Sequence, residues 1–184
     1  MRWGYCLVQD AMSQDQCAAF IERLEDQAQA ELSLRSSGPS ETLLLPVSGE
    51  AVDPADRPYG FNALVNNSLC KGQVFRDLVE FSEAAAQKGP LVDGLLTKVM
   101  GEGFGIGCAH GSIIGQGGGL QEIHIDQGGV PLPYPPWPMG SLIIWMASEF
   151  SLECGGTYVV PGSHRHASGI NTQTADADVR EEPS

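Results

Sequence analysis

Basic residues are scarce in this chain. Ten Lys and Arg stand against 23 Asp and Glu among 184 residues, leaving a net charge of −13. The ten are scattered and form no run. Neutralising phosphates needs clustered cations, so a general nucleic-acid binder is excluded. Long apolar runs are missing too. The longest, Leu142 to Ala147, is far too short to span a bilayer. No apolar stretch follows Met1-Arg2-Trp3-Gly4-Tyr5, so the opening does not read as a secretory leader. The five cysteines (Cys6, Cys17, Cys70, Cys108, Cys154) contain no Cys-x-x-Cys pair. An odd, dispersed set reads as reduced thiols, and the expected location is cytoplasmic. Hydrophobic residues reach 42% and charged residues 18%, enough apolar content for one folded domain.

What is present divides into a helical front over 1–100, a glycine-rich β segment over 101–166 and a polar tail over 167–184. Ser13 and Gln16 have the spacing of a capping box, in which each side chain satisfies one orphan amide at a helix start. Behind them Cys17, Phe20, Ile21, Leu24 and Ala28 form one apolar stripe, so a helix is predicted to about Leu32. Its outer face, with Glu22, Glu25, Asp26 and Glu31, reads as a solvated surface. Residues 36–60 read as loop, with one strand possible at Leu43-Leu44-Leu45. A second helix is predicted over Val74 to Gln87. A third is expected to begin at Pro90, whose fixed φ suits a first turn, and to reach Met100.

After Gly101 the pattern turns to strand. Leu120 to Asp126 alternates apolar and polar residues, Ser141 to Ser148 is a continuous apolar run, and Thr157 to Val160 a shorter one. Gly4 to Val8 is a further short strand candidate. The predicted class is therefore mainly β with a helical N-terminal part.

His124-Ile125-Asp126 is the sharpest chemical feature. At positions i and i+2 of a strand both polar side chains leave the same face, where an imidazole and a carboxylate can share one divalent ion. Two His and one carboxylate with open positions is the ligand set of non-haem Fe(II) oxygenases. Alone the tripeptide is common, and the plain alternative is a pair of ordinary strand residues. Context strengthens it. Downstream lie the Trp145 run, then Gly155-Gly156-Thr157, then Pro161-Gly162-Ser163-His164.

In the order and spacing of these motifs, with Gln127 after Asp126 and the Gly4-Tyr5 opening before a Ser-capped helix, the chain resembles the phytanoyl-CoA dioxygenase family over most of residues 4–166. The resemblance implies a double-stranded β-helix (a cupin-like jelly roll) and an Fe(II)- and 2-oxoglutarate-dependent dioxygenase that oxidises a small-molecule substrate with dioxygen. It makes His124 and Asp126 the first two metal ligands. It nominates Gln121, three residues before the metal His, and Thr157, of the Gly-Gly-Thr step, as contacts to 2-oxoglutarate. Gln121 lies an odd number of residues from His124, so a bulge after Gly117-Gly118-Gly119 is needed to turn it inward. Asp126 favours hydroxylation or a related oxidation over halogenation, for which relatives carry a small residue there.

The resemblance also implies a second metal His and a basic partner for the far carboxylate of 2-oxoglutarate, both well after Pro-Gly-Ser-His. Beyond His166 there is no histidine, and Arg180 is the one basic residue. The chain is therefore read as a partial oxygenase domain over 1–184 whose C-terminal strands are missing. His164 is structural in the family, and His166 and His110 are the other histidines. Two alternatives stay open: an inactive jelly-roll binding module, and a cupin-like metal protein that does not use 2-oxoglutarate. Val130 to Pro138, with five prolines, reads as a stiff loop beside the metal mouth or as a polyproline ligand. The acidic balance disfavours a CoA thioester as substrate and favours a small neutral or cationic molecule.

Overall fold

The computed structural model describes residues 2–35, 62–115, 123–126 and 130–165. Its regular elements are helix α1 (Gln14–Arg35), strand β1 (Asn62–Val65), helix α2 (Gln73–Val79), helix α3 (Gly89–Met100) and strand β2 (Gly111–Ile114). Short 3-10 turns lie at Ser68–Cys70 and Ser163–Arg165.

Helix α1 starts as the capping pattern requires. Ser13 N–H donates to Gln16 Oε1 at 2.9 Å, and Gln16 N–H donates to Ser13 Oγ at 3.2 Å. Leu24 and Ala28 of its apolar stripe are buried, and Phe20 is half-buried. They meet Val65 of β1 and Phe75 of α2 in the first core cluster, where Phe20 and Phe75 pack edge to face at 5.7 Å. Glu31 departs from the solvated-face reading. It is only about one-fifth exposed and pairs with Lys71.

Helix α2 is shorter than its apolar pattern predicts, ending at Val79 instead of Gln87. Phe81 turns left-handed (φ 55°). Gln16 then holds the following turn from a distance: its Nε2 donates to Glu83 O at 2.7 Å and Ala84 O at 3.0 Å, and its Oε1 accepts from Gln87 N–H at 3.0 Å. The backbone groups that a longer helix would satisfy internally are satisfied by α1 instead. The turn buries Ala85 and Ala86 with Leu78 in a second cluster, onto which Phe20 and Trp145 pack. Helix α3 begins at Gly89, with Pro90 in its first turn as expected.

β1 and β2 pair antiparallel, Asn62 opposite Ile114 and Val65 opposite Gly111, as a two-stranded sheet. This overturns the predicted class. Among the described residues there are three helices and one two-stranded sheet, so the fold is not mainly β and no jelly roll is seen. Residues 141–148 and 157–160, predicted as strands, carry no ladder. Nor do 4–8 or the described residues 123–126 of the segment predicted over 120–126. Over 142–148 burial still alternates, with Ile143, Trp145 and Ala147 turned inward and Leu142, Ile144 and Met146 outward. Period-2 patterning reports an extended backbone with one covered side, whereas a ladder also needs a partner strand. Here the covering comes from the α2 turn through Trp145. The predicted strand at Leu43-Leu44-Leu45 lies outside the described residues, and β1, which does form, was not expected from its four residues.

Candidate metal and cosubstrate site

His124 and Asp126 come together as the i, i+2 spacing requires. His124 Nε2 lies 3.4 Å from Asp126 Oδ1, with Ile125 between them half-buried. Both side chains are more than half exposed, at 56% and 65%, so the pair opens onto solvent. Two donors each about 2.1 Å from one ion can stand up to about 4.2 Å apart, so this pair fits two positions around one divalent cation. An imidazole nitrogen with a carboxylate oxygen suits a borderline first-row ion such as Fe(II).

No third ligand is assembled among the described residues. Among the described residues no group of three or more His, Cys, Asp and Glu side chains could hold a metal ion. His110, exposed just before β2, and His164 are not brought to the pair. His166 and Gln121 lie outside the described residues.

Thr157 is described, and its surroundings explain the Gly-Gly step before it. A tight turn closes where Ser151 O accepts from Cys154 N–H at 3.1 Å and Gly156 N–H at 2.8 Å. Gly155 is left-handed (φ 80°), and a Cβ there would come within 2.8 Å of Ile114 Cγ2 at the end of β2. Glycine is thus needed twice over, for the φ angle and for the close approach. Thr157 leaves this turn exposed to solvent.

The tryptophan run is anchored to the helices. Trp145 stacks at a tilt on Phe81 with centroids 6.5 Å apart, and Phe81 meets Phe104 at 6.4 Å. The Pro-Gly-Ser-His turn holds the N-terminus. Gly162 N–H donates to Trp3 O at 2.8 Å and Arg165 Nη2 to Arg2 O at 2.9 Å. The His164 ring lies over Gly4, where a Cβ would fall 2.2 Å from Nδ1 and φ is +86°. Glycine at position 4 thus leaves room for the exposed His164 ring. Sequence reasoning noted both ends of this clasp but had no signal that they meet, because the ties run through backbone carbonyls any residue could supply.

No helix among the described residues is long and apolar enough to cross a membrane. A family model described as phytanoyl-CoA dioxygenase matches residues 1–183. Comparisons with curated proteins and with solved structures gave no match.

Proposed function

The chain belongs to the phytanoyl-CoA dioxygenase family, and from that premise we propose that it is an Fe(II)- and 2-oxoglutarate-dependent dioxygenase acting on a small-molecule substrate. The observation that carries the reading to particular residues is the 3.4 Å approach of His124 Nε2 to Asp126 Oδ1. In this proposal His124 and Asp126 hold the metal, and Thr157 and Gln121 contact the cosubstrate. When bound, the metal supplies dioxygen activation coupled to oxidative decarboxylation of 2-oxoglutarate to succinate and carbon dioxide.

The chain's own part is orientation. The 3.4 Å approach of the two side chains holds both donors together already, which lowers the entropy lost when they close on one cation. Asp126 brings a negative charge that offsets part of the cation's, and His124 offers an imidazole nitrogen as the second donor. Thr157, exposed just after the Gly155-Gly156 turn, would offer its hydroxyl to the cosubstrate. Hydroxylation is preferred to halogenation because the carboxylate of Asp126 is retained. All five cysteines are free thiols, which supports a reducing, cytoplasmic setting.

The direct test is anaerobic calorimetry of the full chain, titrating Fe(II) and then 2-oxoglutarate. The reading expects 2-oxoglutarate to bind only when metal is present, and Thr157→Ala to weaken that second step about tenfold, the loss of one hydrogen bond to a charged group. Binding of 2-oxoglutarate that ignores the metal would contradict it. A second reading, a binding module without turnover, is favoured by one observation: the described residues assemble two metal donors and no third. It expects no succinate from the full chain with Fe(II), ascorbate, 2-oxoglutarate and dioxygen.

A further inference from the structure

We propose that Glu80 to Gln87 is a two-state element: a turn while the Phe81 ring is seated on Trp145 and Phe104, and a continuation of helix α2 when it is not. The proposal goes beyond the oxygenase reading and does not depend on it. Three observations at the end of α2 carry it.

The first is how α2 stops. Ser82 N–H donates to Asp77 O at 2.9 Å and Phe81 N–H donates to Leu78 O at 3.3 Å, the nested pair of a Schellman motif. In that motif the residue just past the cap is left-handed and is usually glycine, because a Cβ is disfavoured there. Here it is Phe81, at φ 55°. A bulky L-residue keeps this conformation only where its surroundings impose it.

The second is what imposes it. The Phe81 ring stacks at a tilt on Trp145, with centroids 6.5 Å apart, and on Phe104 at 6.4 Å. The Phe81 carbonyl lies against Gly89, where a Cβ would overlap it. Gln16 bonds Glu83 O, Ala84 O and Gln87 N–H from α1. The two rings, Gly89 and Gln16 all belong to other parts of the chain, so they hold the turn from outside. Within the turn, Ala84 N–H donates to Ser82 Oγ at 3.1 Å.

The third is the sequence of the stretch. Glu80-Phe81-Ser82-Glu83-Ala84-Ala85-Ala86-Gln87 holds three Ala, two Glu and a Gln, all strong helix formers, with no Gly or Pro before Gly89. In an uninterrupted helix Phe75, Leu78, Ala85 and Ala86 would share one stripe, at i, i+3, i+10 and i+11. Leu78, Ala85 and Ala86 are the residues that the turn buries. Both arrangements therefore offer the same apolar side chains to the core. They differ in Phe81, which six residues after Phe75 falls off that stripe. Seating of the ring thus decides the length of α2. By linkage, whatever draws Trp145 off Phe81 lengthens the helix, and a longer helix frees Trp145.

The test reads the Cα chemical shifts of Ala84, Ala85 and Ala86 in the full chain, with far-ultraviolet dichroism alongside. In the parent the shifts report a turn. Phe81→Ala has no ring and is still disfavoured in the left-handed region, so all three should move to helical values and the helical dichroism should deepen. Phe81→Gly also lacks the ring but accepts the left-handed angle, so its shifts should stay near the parent's. Trp145→Ala should move the shifts toward helix in the parent background and leave them unmoved in Phe81→Gly, a comparison that stands even where Phe81→Ala fails to fold. Turn-like shifts in Trp145→Ala would overturn the proposal, as would the same helix gain in Phe81→Gly as in Phe81→Ala. Neither readout involves metal or 2-oxoglutarate.

Discussion

Replacing Gln16 by alanine removes two kinds of support at once. Within α1 it opens the reciprocal cap with Ser13, whose side typically contributes about 1 kcal/mol. Across the fold it deletes the ties to Glu83 O, Ala84 O and Gln87 N–H. These are solvent-exposed, so each is taken at the low end of a hydrogen bond's net contribution, about 0.5 kcal/mol. The whole loss is about 2.5 kcal/mol, which for a chain of this size lowers the melting temperature by about 5–10 °C. Gln16→Glu separates the two kinds. It keeps an acceptor for Ser13 and Gln87 and places a carboxylate in the first turn of α1, where the helix dipole favours it. It loses the donations to Glu83 and Ala84, so its melting temperature should fall by less than half as much. Far-ultraviolet dichroism gives the melts, and hydrogen exchange at the Gln87 amide should speed up in Gln16→Ala but not in Gln16→Glu. Equal melting of the parent and Gln16→Ala would refute the reasoning, as would equal damage from both variants.

Other perturbations have equally definite expectations. Phe75→Ala empties the centre of the first cluster and should destabilise by about 3–5 kcal/mol in chemical denaturation, within the range for buried aromatics. Gly4→Val places a β-branched residue at positive φ against the His164 ring; it should lower stability by about 2 kcal/mol and raise amide exchange at Gly162, whose N–H bonds to Trp3. Lys71→Met should cost under about 1 kcal/mol, with the difference from the parent shrinking at high salt, because its pair with Glu31 is partly exposed.

What the sequence made legible was local. The cap at Ser13 and Gln16 spans three residues, and the proline start of α3 spans one, so each can be read where it stands. The turn that follows α2 was not legible, because Gln16 of a different helix holds it, across 71 positions in the tie to Gln87. The apolar run at 141–148 kept its alternating burial yet formed no ladder, since hydrogen-bond partners lie outside any local pattern. The same division holds at the candidate site. His124 and Asp126 are two residues apart, so their 3.4 Å approach is a local feature. The third ligand and the partner of the far carboxylate are long-range features. Gly155 shows the intermediate case: its glycine was noted as part of a motif, but its reason, Ile114 of β2, lies far away in sequence.

The central claim is that His124 and Asp126 hold an iron that 2-oxoglutarate then chelates. It is met most directly by anaerobic titration of the full chain with Fe(II) and 2-oxoglutarate, observing the visible metal-to-ligand charge-transfer band of the chelate. The account predicts a saturating band in the parent chain that is lost in His124→Ala and in Asp126→Ala. Absence of the band in the parent, or its persistence in both variants, would contradict it.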